Sequence, residues 1–483
     1  MKDKKFSLVG IIEIIAFVFV GMLVITGISE LLSRKNSFEK YTPFYETKEN
    51  FDVLFFGTSH GCNGFAPMEL WDSYGIASYN LCQHSEYIPV TYYQVLNALE
   101  HTSPKVIVID PYLIGAPDKI SGNRQDWSYV HDSLDAMPLS PTKIKAIMDL
   151  MPDLEAKAEF FFPFIMYHNR WDSLTEQDFK PELNTEKGGE SRVGSIRLGD
   201  FTPIPEDSAY DLTEIHTVGL DYLGKIIDVC KERNIQVLLA ILPYQADEAG
   251  QMMANGLKAY ANNKGVDYIN LFYELPMNFS TDFFDSGHMN PSGYKKVADY
   301  LGTYLTNNYN LCDRRDDADY SHWYQEYEEY AAMQLNFLRD AEDFYTYFTL
   351  LQNKNVSFTI NINGASSFLA NNYVAPYLYN LGITSDLQAV DESGENFFAV
   401  IDRSEGTVTE FIGEDNILLS SSFGEVMYTC DDTGAQTFQI GSDSYTGHES
   451  ENYIRITVIN NRSGQSFDTV TFYENVHYEW FRQ

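Results

Sequence analysis

The sequence predicts an α/β protein in three parts: an N-terminal transmembrane helix, a parallel-sheet domain wrapped by helices, and a C-terminal domain of mixed, β-rich texture. Three observations predict it. An apolar run opens the chain, short apolar strands alternate with helices through its middle, and alternating segments punctuated by Gly, Asp, Asn and Ser turns close it.

A chain of 483 residues exceeds what one core sustains, so two or three units are expected, and 44% apolar with 15% aromatic residues supplies the material to fill them. The 33 Lys and Arg against 69 Asp and Glu give a formal net charge of -36, a field that repels phosphate backbones. No nucleic acid partner is expected. The acidic surface is accounted for by the solubility of a large ectodomain. Cys62, Cys82, Cys230, Cys312 and Cys430 show neither a Cys-x-x-Cys pair nor clustered histidines, so no metal and no cofactor is expected. An odd, sparse set argues against a disulfide scaffold, with one pair left open for an extracellular chain.

The first element is SLVGIIEIIAFVFVGMLVITGI, Ser7 to Ile28, apolar apart from Glu13 and of the length a helix needs to cross a bilayer. Lys2, Lys4 and Lys5 precede it and place the N-terminus in the cytoplasm, with Arg34 and Lys35 reducing the asymmetry. The run is longer than a signal core and no small-x-small site closes it, so residues 1–36 read as a cytoplasmic tip and a retained anchor. The expectation is a single-pass protein of the cell membrane with its bulk outside the cytoplasm. Glu13 reads as a residue tolerated in the helix rather than as a contact to another membrane protein.

A polar stalk, Asn36 to Asn50, leads into the parallel-sheet domain at 37–311. Its strands are DVLFFG (52–57), KVIVID (105–110), IQVLLAIL (235–242) and VDYINL (266–271), compact apolar runs of the kind buried in a parallel sheet. Helices at Val90–His101, Val218–Glu232 and Asp247–Asn263 precede the last three. The aromatic-rich stretch 111–217 is too long for a connection and reads as an insertion forming a lid or substrate wall. A helix from Pro291 to about Asn307, with Asn290 as N-cap, closes the domain. Residues 312–352 form an acidic linker and a helix from Trp323 to Gln352 whose aromatic stripe reads as packing. At 353–483 follow VSFTINING, a helix SSFLANNYVAPYLYNLGI, FFAVIDRSEGTVTEFI, QTFQIGSDSY and NYIRITVINNRSGQSFDTVTFYE.

The chemistry sits in two blocks. Gly57-Thr58-Ser59-His60-Gly61 follows the first strand, and the carboxyl ends of parallel strands are where catalytic groups gather. A serine hydroxyl needs a histidine to take its proton and a carboxylate to orient that histidine. His60, adjacent in sequence, is a poor base for Ser59. Asp285-Ser286-Gly287-His288, just before the closing helix, presents both groups from one tight loop, with the carboxylate toward Nδ1 and Nε2 left for the serine. Either block alone is common by chance; their joint placement at sheet ends is the stronger signal.

On GTSH and DSGHMNPSGYKKVADYL the sequence resembles the SGNH/GDSL hydrolase superfamily, which implies a flavodoxin-like sheet and a triad of Ser59, Asp285 and His288. The segment from Phe51 to Tyr112 looks like the membrane-anchored DltD and AlgJ/AlgX-like branch. Members of that branch acylate cell-surface polymers beside a membrane-bound O-acyltransferase, so such a partner and a surface polysaccharide or oligosaccharide acceptor are implied. The similarity covers roughly Phe51 to Asn307, with the insertion unmatched. The family's Gly block aligns by context to Asn80-Leu81-Cys82-Gln83, and its Gly-x-Asn-Asp block has no clear counterpart near Asp110-Pro111-Tyr112. The N–H groups of Ser59 and Cys82 are the candidate oxyanion donors, with the Asn80 or Asn63 amide in addition. Asn63 reads more as a turn residue, and Cys62 is a weaker rival nucleophile. The order of segments after Val356 looks like the interleukin-like (ILEI/PANDER) domain of some glycan-processing proteins, which implies carbohydrate binding.

The expected function is a serine O-acyltransferase that takes an acyl group, acetyl by preference, onto Ser59 and passes it to a surface-glycan hydroxyl. Two alternatives stand beside it: a carbohydrate esterase using the same triad, and a non-catalytic glycan-binding scaffold.

Overall fold

The computed structural model describes residues 8–33, 35–115, 124–181, 184–363, 374–413, 416–433, 435–441, 443–448, 453–473 and 480–482. The lysines of the cytoplasmic tip, Arg34, and residues 366–373 of the expected helix SSFLANNYVAPYLYNLGI lie outside them.

Runs too apolar to face water make the parallel sheet. Val53–Phe56 (β1), Ser78–Asn80 (β2), Val106–Ile109 (β3), Gln236–Ile241 (β4) and Asp267–Asn270 (β5) pair in the order β2-β1-β3-β4-β5, all parallel. This is the flavodoxin-like order, whose direction of winding switches between β1 and β3. Every residue of β1 and β3 is buried. The four expected strands are present, each one residue shorter at either end, while β2 is too short to carry a pattern.

The helices up to the sheet's last strand are α1 (Leu8–Leu32), α2 (Lys35–Glu46), α3 (Ser59–Gly64), α4 (Pro67–Tyr74), α5 (Ile88–His101), α6 (Arg124–Leu134), α7 (Pro141–Leu150), α8 (Leu154–Phe161), α9 (Phe164–Tyr167), α10 (Glu176–Phe179), α11 (Val218–Glu232) and α12 (Glu248–Lys264). After it come α13 (Leu271–Glu274), α14 (Pro291–Asn308), α15 (Trp323–Asp340), α16 (Phe344–Leu350), α17 (Ala375–Asn380) and α18 (Leu387–Ser393). Among the described residues, α1 is the one helix long and apolar enough to cross a membrane, with a mean hydropathy of 2.7 over its most apolar window. Such a helix serves as an anchor or as a signal sequence.

Three expectations are corrected. The segment from Asn36 to Asn50 is not a free stalk: most of it is α2, whose Tyr41 and Phe44 are buried, with Tyr41 Oη donating to Leu81 O at 3.2 Å and Phe44 stacked on Phe51. The start of the acidic linker is likewise docked, because Arg314 grips the buried Asp52 with two hydrogen bonds of 2.8 and 3.0 Å. The single helix expected from Trp323 to Gln352 is two, since Asp343 caps α16 by accepting from Thr346 N–H at 2.9 Å.

The chain divides into two compact units. The first comprises Met1–Glu190, Pro203–Leu275 and Val297–Tyr324; the second comprises Ser191–Thr202, Pro276–Lys296 and Gln325–Gln483. This differs from a single break near Leu311, and hydrogen bonding shows why. Ile196 N–H donates to Phe283 O (3.0 Å), Leu198 N–H to Phe279 O (2.9 Å), and Asn380 Nδ2 to Asp282 Oδ1 (3.1 Å), which ties 191–202 and 276–296 to the C-terminal part.

The second unit holds two antiparallel sheets. β6 (Val356–Asn363), β7 (Phe397–Asp402) and β8 (Thr407–Ile412) join β13 (Tyr453–Asn460), β14 (Gln465–Tyr473) and β15 (Trp480–Arg482) in the order β15-β14-β13-β6-β7-β8. β9 (Asn416–Ser421), β10 (Gly424–Cys430), β11 (Ala435–Ile440) and β12 (Asp443–His448) form the other. Period-two alternation gives the larger sheet two working faces. Phe358, Ile360 and Ile362 join a core with Leu378 and Leu387, while Phe398 and Val400 pack on Tyr428 and Phe438 of the smaller sheet.

Candidate functional site

Ser59 is the first residue of α3, three residues beyond β1 and at the point where the winding of the sheet switches. Its turn depends on Gly57, whose φ of +154° and 3.0 Å clearance between a notional Cβ and Asp110 leave no place for a side chain. Thr58 caps α3, its Oγ1 accepting from His60 N–H at 3.4 Å. Ser59 is half-buried, and His60 beside it is buried with its ring 3.9 Å from that of Tyr112 and 4.8 Å from that of Tyr244.

Two of the expected oxyanion donors, the Cys82 N–H and the Asn80 amide, are committed elsewhere. Asn80 Nδ2 donates at 2.8 Å to the carbonyl oxygens of Gly61 and Phe65, holding the end of α3 against β2, and Asn80 Oδ1 accepts from Cys82 N–H at 3.0 Å. In this arrangement Asn80 and Cys82 shape the turn, and neither offers its amide to a ligand. One N–H of Asn63 Nδ2 donates to Glu190 O at 2.8 Å.

Asp110, directly after β3, was not singled out by its surroundings in sequence. It is 1% exposed and its Oδ2 has no hydrogen-bond partner among the described residues. Burial pushes its carboxyl up to about 8, against a bond from Leu242 N–H, which favours the protonated acid beside the Ser59 turn. A lone Asp ending an apolar strand was the available signal; its burial was not legible.

Asp285 and His288 are brought together in the second unit. An antiparallel bridge between Phe283 and Met289 closes the loop, with Phe284 N–H donating to His288 O at 2.8 Å. Asp285 Oδ1 accepts from the N–H groups of Gly287 and His288, each at 2.9 Å, and both carboxylate oxygens lie 2.8 Å from His288 Nδ1. Partial burial opposes ionisation of Asp285, but the Gly287 N–H and the His288 ring and N–H hold its carboxyl below the usual range. The pair assigns the proton to Nδ1 and leaves Nε2 as the acceptor. Below it, buried Asp282 accepts from Asn278 N–H (2.7 Å) and Ser292 Oγ (2.7 Å) and pairs with Lys296 (2.7 Å). Asn290 caps α14, its Oδ1 accepting from Ser292 N–H at 3.0 Å.

Among the described residues one cluster approaches metal-ligand spacing, Cys62, His84 and Glu190, with donor atoms within 4.8 Å of one another. Lys40 Nζ already stands 3.4 Å from Cys62 Sγ and Glu190 Oε1. Burial alone would lower the Lys40 pKa, but the neighbouring thiol and carboxylate raise it, so an ammonium fills the place a cation would take. Burial, reinforced by Glu190, pushes the Cys62 thiol up, which disfavours the thiolate a nucleophile needs. None of the five cysteines is in a disulfide.

Neither a protein-family model nor a curated protein matches the chain. Among solved structures it is similar to an acylhydrolase candidate from Bacteroides fragilis NCTC 9343, at 12% identity and a TM-score of 0.27, over 56% of this chain and 95% of that one. It is also similar to a GDSL-like lipase from Bacteroides thetaiotaomicron VPI-5482, at 10% identity and a TM-score of 0.26, over 56% of this chain and 98% of that one.

Proposed function

We propose that the chain is a serine-dependent acyl-transferring enzyme of the SGNH kind, in which Ser59 is the nucleophile, His288 the base and Asp285 the group that orients it. The observation that carries this reading is the Asp285–His288 pair, whose 2.8 Å contacts at Nδ1 fix the tautomer that a serine base requires. His288 Nε2 takes the Ser59 proton as Oγ attacks an ester carbonyl, then returns it to the departing alcohol, leaving an acyl-Ser59 ester. An incoming hydroxyl, deprotonated by the same nitrogen, releases the acyl group and regenerates serine. The acceptor we favour is a surface-glycan hydroxyl and the acyl group acetyl, because the apolar helix α1 would hold the site beside a membrane-embedded donor such as a membrane-bound O-acyltransferase. Water as acceptor is the second reading, favoured by the 40% exposure of the Asp285 side chain.

Ser59→Ala is expected to lower turnover of p-nitrophenyl acetate by at least about a thousandfold while the chain stays folded. Unchanged turnover in that variant contradicts the nucleophile. Acetyl transfer to an added oligosaccharide, read by mass spectrometry, separates the two acceptors.

A further inference from the structure

The insertion between β3 and α11 carries a surface that the proposed chemistry does not use. Its inner side is anchored: Phe160 stacks on the buried His131 at 3.8 Å, and Tyr167 meets the same ring edge-on at 5.7 Å. The outer side of α8, α9, α10 and the turn between them shows Phe161, Phe162, Phe164, Ile165, Trp171 and Phe179, from 37% to 72% exposed. Single exposed apolar residues need no explanation, but six large ones in so short a stretch do.

The same segment meets the end of α1. The last turns of α1 pack against α9, the 3-10 turn His168–Asp172 and α10, and there Ser29, Leu32 and Ser33 are buried while the large apolar residues before them are exposed. Arg170 Nη1 donates at 2.7 Å to the carbonyl oxygens of both Leu32 and Ser33, and its Nη2 pairs with Asp178 at 2.7 Å. A guanidinium thus satisfies carbonyls that a helix end leaves open. Trp171, the next residue, is held at the level where the apolar span stops.

We propose that α8 to α10 form a lipid-facing platform, seated at the boundary of headgroups and acyl chains in the leaflet from which α1 emerges. Continuity with α1 selects lipid as the occupant, and Trp with Phe is the composition that suits this depth. The acidic balance of the chain gives no attraction to anionic lipids, so seating rests on apolar burial and is insensitive to salt. The platform keeps the insertion against the bilayer instead of leaving α1 as a loose tether.

The inference rests on α1 lying in the bilayer, and the test separates the two. The full chain is reconstituted in phosphatidylcholine vesicles, and flotation reports the anchor. Lipid brominated near the top of its acyl chains is then expected to quench about one-fifth of the tryptophan emission, the share of one tryptophan in five, and Trp171→Phe to remove that loss. Equal quenching in both proteins, or quenching of Trp171 by aqueous iodide instead, overturns the platform and leaves the face to water or a protein partner. A chain that does not float overturns the anchor and the platform together.

Discussion

Glu86 and Asp110 show what single residues contribute that no motif reveals. Burial pushes Glu86 up to about 8, against hydrogen bonds from Ser133 (2.7 Å) and Thr91 (2.8 Å) and the charge of Lys40. A raised carboxyl means the folded chain keeps a proton that the unfolded chain releases near 4.5, so this contribution is complete below that value and is lost as pH rises through about 8. Glu86→Gln is therefore expected to become more stable relative to the parent between about pH 5 and pH 8, by on the order of a few kcal/mol, as read from urea midpoints. A difference that stays flat with pH contradicts the buried proton. Asp110→Asn, close in shape to the protonated acid and with no proton to release on unfolding, is expected to gain stability on the parent in the same way as pH rises toward about 8. The pairing of Asp285 with His288 was legible because the two stand three residues apart in one short block. Glu86 and Asp110 were not, because burial is set by residues far away in the chain.

At the scale of elements, two turns carry the residues proposed for the chemistry. The one after β1 needs Gly57, and Gly57→Ala is expected to cost about 1–3 kcal/mol because the new Cβ meets Asp110 in a backbone conformation that L residues avoid. The loop before α14 is braced by Asp282, and its Asn290 cap and Pro291 start were legible from residue type alone. The four strands expected in the parallel sheet were legible as compact apolar runs, whereas β2, β9, β10 and β15 were not, and Leu418 of β9 is 71% exposed. In the larger sheet of the second unit, Arg455 is 5% exposed and its Nη1 has no hydrogen-bond partner among the described residues; Nε donates to Thr471 Oγ1 at 3.0 Å and the guanidinium lies over Tyr453. Such a buried cation contributes little net stability, so Arg455→Met is expected to leave the urea midpoint unchanged or raise it. A marked fall contradicts this view of the cluster.

Over the whole molecule, the class of each part was legible and the grouping of the parts was not. Texture distinguished an apolar helix, a parallel-sheet region and a β-rich region, because period and composition are local properties. Membership of 191–202 and 276–296 in the second unit depends on pairings such as Ile196 with Phe283, which no local pattern announces. One consequence is that Ser59 belongs to the first unit and the Asp285–His288 pair to the second. The account requires the three to act as one, and this is the claim most exposed to test. The direct measurement is labelling of the folded full chain with a serine-directed fluorophosphonate, followed by peptide mass spectrometry of the parent, Asp285→Asn and His288→Ala. Rapid labelling confined to Ser59, and slowed at least about a hundredfold in both variants, is the expected result. Labelling at another serine, or at Ser59 with a rate indifferent to His288, contradicts the account.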